Sequence, residues 1–297
     1  MSGIVVERPG PLTTFQDAGR GGWQHLGVPA SGAADRGAYR RANALAGNAP
    51  GAVVLETTLS GPALRFDVPA VVAICGARSA ATVDGRPVPF DEPFAVRAGE
   101  LLVVGRATRG LRSVIAVRGG LAVTPVLGSA STDTLTGLGP PPLAAGDRLT
   151  IGHAAAATPG AGAPAAPAAG AGGPLELTIG PRDDRFDPAA IALLTTATFT
   201  VGAASNRIGV RLDGPRLEHR GDLPELRSEG IVAGSIQVPP GGRPLLLLRD
   251  HPATGGYPVI GVLTDAAIDR AAQLRPGADV CLTRAGRPLA DCRADER

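Results

Sequence analysis

The sequence predicts a mainly β protein of two domains with a few short helices. Three observations carry that expectation. Short β-branched runs separated by turn signals recur in both halves, helix-like stretches with caps are few, and one run of Ala, Gly, Pro and Thr interrupts the pattern near the middle. With 297 residues, each half is long enough to bury a core of its own.

In the N-terminal half, Asp35 to Ala46 reads as a helix stopped by Gly47-Asn48. Val71 to Ile74, Leu101 to Val104 and Val114 to Val117 read as strands, and Asp84-Gly85 is a hairpin turn. Leu143 to Ile151 is a turn feeding a closing strand. Residues 154–173 are too poor in large apolar groups for a core and too rich in proline for a helix, so they read as a linker between domains at 1–153 and 174–297. Beyond it, Leu175 to Ile179, Arg207 to Leu212, Ser235 to Val238 and Leu245 to Leu248 read as strands. Pro188 to Leu194 and Ala266 to Leu274 read as helices capped by Asp187 and Asp265. Leu274 to Leu282 repeats the turn-then-strand pattern of 143–151, which makes the halves look like distant copies.

Composition excludes several function classes. Twenty-nine basic against 27 acidic residues leave no field to recruit nucleic acid, and 3% aromatics leave no platform for stacking bases. No apolar run approaches the roughly 20 residues a membrane helix needs, and the start lacks a leader pattern, so a cytoplasmic protein is expected. Cys75, Cys281 and Cys292 are odd in number and far apart; they read as buried or incidental thiols rather than a disulfide or zinc framework, and no metal is expected. The chain contains no lysine. That excludes a Walker A lysine, a pyridoxal Schiff base, a Ser-Lys dyad and a biotinyl-lysine on this polypeptide.

Two polar, glycine-rich segments carry the candidate chemistry: Gly10 to Asp35, and Ser228 to Pro240 with Asp250 to Pro258. Glycines admit close backbone approach to a ligand, and the neighbouring side chains offer both hydrogen-bond directions. Gln16 and Gln237 can donate to and accept from a lactam or urea, or satisfy buried backbone. Asp17 and Arg20 can pair with each other, or Arg20 can bind a substrate carboxylate. His25 is the candidate for proton transfer or a loop-fixing hydrogen bonder. Ser31 and Asp35 read as caps of the following helix, with Ser31 also a candidate substrate contact. Glu56, inside an apolar run, calls for an arginine partner or a tuned acid–base role. Glu229 and Glu225 form a similar set with Arg207 and Arg211, which on one strand face would anchor an anion or line a solvated rim. Thr254, Gly255 and Gly256 can present amides to a developing oxyanion while Tyr257 covers the pocket. His153 and His219 read as surface residues.

Gly10 to Arg20, His25 to Asp35, Ala42-Asn43 with Gly47-Asn48, Leu55-Glu56-Thr57, Arg207 to Gly214 and Ser228 to Tyr257 also carry a resemblance over nearly the whole chain. The sequence resembles the allophanate hydrolase subunit 2 family, also called the biotin-dependent carboxyltransferase or KipA-like family. It departs at His251 and Ala253, where the family pattern has Arg-Gln-Thr before Thr-Gly-Gly-Tyr, and at Gly21-Gly22-Trp23. The resemblance implies two cyclophilin-like β-barrel subdomains. It also implies a subunit of an ATP-dependent 5-oxoprolinase, with ATP bound by the complex and with partners that are a subunit-1-like (KipI-like) chain and a LamB/YcsF-like chain. The substrate would then be a small lactam or amide, met in a cleft where the two motif segments converge. Two other readings remain from the same resemblance: a carboxyltransferase using biotin held on another chain, and a non-catalytic regulator of a kinase-inhibitor partner.

Overall fold

The computed structural model describes residues 3–164, 173–221 and 223–286. The chain divides into two compact units: Met1–Gly21 with Ser31–Pro167, and Gly22–Ala30 with Ala168–Arg297. The mainly β class expected from the sequence is what forms, with three α-helices among the described residues.

The first unit is built on β1 (Ile4–Arg8), β2 (Thr13–Gln16), β3 (Val54–Thr58), β4 (Ala63–Phe66), β5 (Ala70–Val83), β6 (Arg86–Pro87), β7 (Pro93–Val96), β8 (Leu101–Val117) and β9 (Arg148–Leu149). They make one curled sheet in the order β2-β3-β8-β4-β1-β9, with β5 branching from β8 and carrying β6 and β7. Strands β5 and β8 run far beyond their apolar cores and pair from Val72 opposite Val117 to Val83 opposite Leu102, with register irregularities between Gly76 and Ala81. Asp84 and Gly85 both take positive φ, 45° and 77°, as the mirror-image turn of a two-residue hairpin requires. Ile4, Leu64, Phe66, Ile74, Leu102 and Ile115 fill one face of the sheet.

Helix α1 (Arg36–Ala46) covers other positions of the same strands. Its small residues Ala38, Ala42 and Ala46, with Tyr39 and Leu45, pack on Val54, Ala73, Cys75 and Val114. Asp35 caps it by accepting from Ala38 N at 2.8 Å, and Gly47 ends it in the left-handed region. Ser31 is no cap: its hydroxyl donates to the Thr132 carbonyl at 3.2 Å. Ala154 N donates to Gly119 O and Ala156 N to Gly47 O, so the described start of the 154–173 stretch is bonded to this unit. Residues 165–172 of that stretch lie outside the described residues.

The second unit contains β10 (Leu175–Ile179), α2 (Pro188–Thr196), β11 (Thr198–Val201), β12 (Gly209–Asp213), β13 (Glu229–Gly230), β14 (Ser235–Gln237), β15 (Leu245–Leu247), β16 (Thr254–Gly255), β17 (Val259–Leu263), α3 (Asp265–Ala271) and β18 (Asp279–Arg284). Seven strands close a barrel in the order β10-β17-β14-β15-β12-β11-β18, sealed by the parallel pairing of β18 with β10, while β13 and β16 form a separate two-stranded ribbon. Leu177, Phe199, Leu212, Ile236, Leu246 and Leu282 belong to its core. Three sequence expectations shift here. Thr264 caps α3 in place of Asp265, accepting from Ala267 N at 3.3 Å, and Asp187 occupies the N-cap of α2 without a side-chain bond. Cys281 is disulfide-bonded rather than a thiol, and Cys292 lies outside the described residues.

Candidate functional site

In the first unit, β2 delivers Gln16 and Asp17 into the interior. Asp17 does not pair with Arg20. Its Oδ1 accepts from Gly19 N at 2.7 Å and from the Ser129 and Ser131 hydroxyls at 2.6 Å each, and its Oδ2 accepts from Ala130 N at 2.7 Å. Four donors leave that carboxylate no need of a cation. Arg20, 1% exposed, donates instead to the carbonyls of Val126 and Ser131, and its Nη1 is buried without a partner. A guanidinium held among carbonyls alone is an incompletely compensated charge.

The same short stretch receives Gln16, whose Nε2 donates to Thr14 Oγ1 and to the Thr132 carbonyl, both at 3.0 Å. Gln16 Oε1 and Thr132 Oγ1 are buried and unpartnered. Thus an acceptor, a cationic donor and a hydroxyl, each costly to leave unsatisfied, gather around the backbone of residues 131 and 132. Sequence reasoning missed Ser129 to Asp133; the signal was a run of four polar residues in five beside an apolar turn. Glu56 accepts from Ala34 N at 2.7 Å and lies 3.9 Å from Arg112 Nε, the arginine pairing that its burial called for. Cys75 is a free thiol on β5; burial, then its hydrogen bond to Asp91 Oδ1 at 3.2 Å, pushes its pKa well above the ordinary thiol range.

In the second unit, Arg207 precedes β12 and turns inward to hold Asp250 bidentately, Nε to Oδ2 at 2.9 Å and Nη2 to Oδ1 at 3.1 Å, with both side chains buried. Arg211 faces outward on β12. The shared anion-binding face expected of these two arginines therefore does not form. Glu229 on β13 is gripped by Arg182, Nε to Oε2 at 3.0 Å and Nη2 to Oε2 at 2.6 Å. Gln237, buried on β14, donates to the Tyr257 carbonyl at 3.3 Å. Gly255 packs onto that amide so closely that a Cβ would stand 2.5 Å from Gln237 Nε2, whereas at Gly256 the nearest atom would be 3.7 Å away.

Thr254 and Tyr257 are exposed, which leaves the Thr-Gly-Gly-Tyr turn open to solvent. His251 and Ala253 are buried, with His251 Nδ1 2.8 Å from the Pro252 carbonyl. His25 is exposed in a short 3-10 turn, Gln24–Leu26, that ends at Gly27 in the left-handed region. His219, expected on the surface, is half-buried with an unpartnered Nε2. Among the described residues no three His, Cys, Asp or Glu side chains gather as a metal site would require, and no helix is long and apolar enough to cross a membrane.

Residues 26–284 match the family model for the carboxyltransferase domain, subdomain A and B. The C subunit of 5-oxoprolinase from Escherichia coli K12 is 36% identical over 277 residues, spanning 92% of this chain and 88% of that protein. Urea amidolyase of Lachancea kluyveri is 32% identical over 298 residues, spanning 92% of this chain but 16% of that protein. The crystal structure of TTHA0988 superposes with a TM-score of 0.86 at 36% identity, covering 95% of this chain and 55% of that one.

Proposed function

Because the chain belongs to the carboxyltransferase domain family, subdomain A and B, we propose that it is a subunit of an ATP-dependent 5-oxoprolinase, which opens 5-oxo-L-proline to L-glutamate as ATP is cleaved to ADP and phosphate. One observation carries this reading: the chain matches the C subunit of 5-oxoprolinase along 88% of its length, but only 16% of urea amidolyase.

A lactam carbonyl is a poor electrophile. Phosphoryl transfer from ATP to its oxygen activates the carbonyl carbon; water adds there, the ring C–N bond breaks as the nitrogen takes up a proton, and a second water releases phosphate from the acyl phosphate that results. In this proposal the unsatisfied atoms of the first unit, Arg20 Nη1 and Gln16 Oε1 with Thr132 Oγ1, suit the carboxylate and N–H of such a substrate. As an alternative that involves the second unit alone, the Thr254 and Gly256 amides of the exposed turn suit a developing oxyanion. ATP and the rest of the site come from the assembled complex, with a KipI-like chain and a LamB/YcsF-like chain as its other members. Co-purification of the chain with those two proteins, followed by ATPase assay with and without 5-oxo-L-proline, tests the proposal. Stimulation by 5-oxo-L-proline is expected, and its absence from the full complex overturns it.

A second reading follows from the family's own description and from the likeness to urea amidolyase: transfer of a carboxyl group from carboxybiotin on another chain to an amide nitrogen. It predicts binding to a biotinylated carrier, which the first reading does not.

A further inference from the structure

The ribbon formed by β5 and β8 in the first unit carries a set of arginines on its solvent side. Along this stretch Ala77, Ser79, Ala81, Val104 and Ala107 are buried, whereas Arg78, Ala80, Arg106, Thr108 and Arg109 are exposed. Register places Arg78 directly opposite Arg109. The pairs Ser79 with Ala107 and Ala81 with Val104 leave Ala80 facing Gly105 and Arg106 across the ribbon. Three guanidinium groups therefore rise from a short patch whose other residues are small. Among the described residues none of the three side chains makes a hydrogen bond or an ion pair. Elsewhere in the same unit Arg41, Arg65, Arg86 and Arg112 each have an acid, respectively Asp91, Glu7, Glu100 and Glu56.

Like charges directly opposite one another on adjacent strands destabilise the pairing, so Arg78 and Arg109 are a cost to the chain on its own. Carboxylates brought to this face reverse that cost, because a guanidinium takes a carboxylate through two parallel N–H···O bonds. Ala80 and Gly105 between the arginines keep the floor low enough for another protein's backbone to come close. Residues 76–82 and 101–109 include no aromatic side chain on which a base could stack, which disfavours nucleic acid as the occupant. We propose that this face of the ribbon docks an acidic surface of a partner protein, whose carboxylates take Arg78, Arg106 and Arg109. The docking face lies within one unit and does not depend on which reaction the chain takes part in.

Fluorescence anisotropy of labelled poly-L-glutamate titrated with the full chain tests it, with labelled polythymidylate of equal charge as the competing class of polyanion. Saturable binding of poly-L-glutamate is expected, and the combined variant Arg78→Gln, Arg106→Gln, Arg109→Gln should bind it about tenfold or more weakly. A control variant with the same change in net charge, Arg40→Gln, Arg97→Gln, Arg216→Gln, removes arginines that are also exposed and should keep affinity within about twofold. At low ionic strength the ribbon variant should melt no lower than the unaltered chain, because the repulsion leaves with the guanidinium groups. If the combined variant does not fold, Arg78→Gln and Arg109→Gln singly decide the matter, each expected to bind about threefold more weakly. The proposal fails if poly-L-glutamate does not bind, if the folded ribbon variants keep full affinity, or if the control variant loses as much, which would make the binding a property of net charge. It also fails if polythymidylate binds as tightly as poly-L-glutamate. Because binding is read without turnover, a complex lacking ATPase activity would sink the 5-oxoprolinase reading and leave this result standing.

Discussion

Gly255 and Gly256 are adjacent and have opposite tolerances. A methyl at 255 would collide with Gln237 Nε2 and push that amide off the Tyr257 carbonyl, so Gly255→Ala should destabilise the chain by about 1–3 kcal/mol in urea unfolding. Gly256→Ala has room and should change stability by no more than about 0.5 kcal/mol. It is therefore the variant that can be read in turnover. Gly256→Ala keeps its backbone N–H and so tests contact: if substrate packs on this turn, the added methyl should lower turnover of the assembled complex about tenfold or more with partner binding intact, and unchanged turnover means that substrate does not lie against residue 256. Cys75 offers a pH test. Its raised pKa means the native state keeps a proton that the unfolded thiol releases, so stability is fully present below about pH 8.5 and declines as pH rises beyond it. Unfolding free energies between pH 8 and 9.5 should fall less steeply in Cys75→Ala, and the native thiol should resist a thiol-reactive dye until the chain unfolds. Residue-scale chemistry was legible where burial forced it, as with Glu56 and its arginine. The Asp17 cradle was not, because its donors at 129 to 131 lie more than a hundred residues away and no local pattern links them.

Elements defined by local chemistry were read closely. Helix α1 begins and ends where Asp35 and Gly47 placed it, because an acceptor at the N-cap and a glycine in the left-handed region are signals carried by single residues. Asp35→Ala should lower stability by about 1 kcal/mol in chemical denaturation, with little change in turnover. Thr264 and Asp265 are both competent caps, and sequence alone had no means to choose between them. Strands β5 and β8 were underestimated because Gly76, Arg78, Gly105 and Arg109 interrupt their apolar runs, and only their mutual pairing carries the strands through. Arg207 was placed on a strand whose pairing starts two residues later, since its bidentate hold on Asp250 draws it out of line. Strand β18 gives the sharpest test of an element. A chain ended after Gly277 loses Val280 and Leu282 from the core and leaves β10 and β11 without their shared neighbour, so it should appear in the insoluble fraction or bind a hydrophobic dye.

At the scale of the whole molecule, the mainly β class could be read from turn spacing and composition. The closure of one unit and the branching of the other could not, because strand order depends on contacts between residues far apart in the chain. The absence of lysine bears on activity at this scale: with no Walker A lysine on the chain, the isolated protein should show no ATPase stimulated by 5-oxo-L-proline, and full activity from the purified single chain would overturn the subunit reading. The parallel seam between β10 and β18 also sets a clock on biosynthesis. Leu175 cannot meet Leu282 until more than a hundred further residues have left the ribosome, which at about 5–20 residues per second is a wait of roughly 5–20 s. During that interval the nascent barrel presents an unpaired β10 edge and an open core, while every strand of the curled sheet has already been made. Chaperone demand during translation should therefore concentrate on the second half of the chain, and codon changes that slow elongation after β10 should lower soluble yield more than the same changes placed before it.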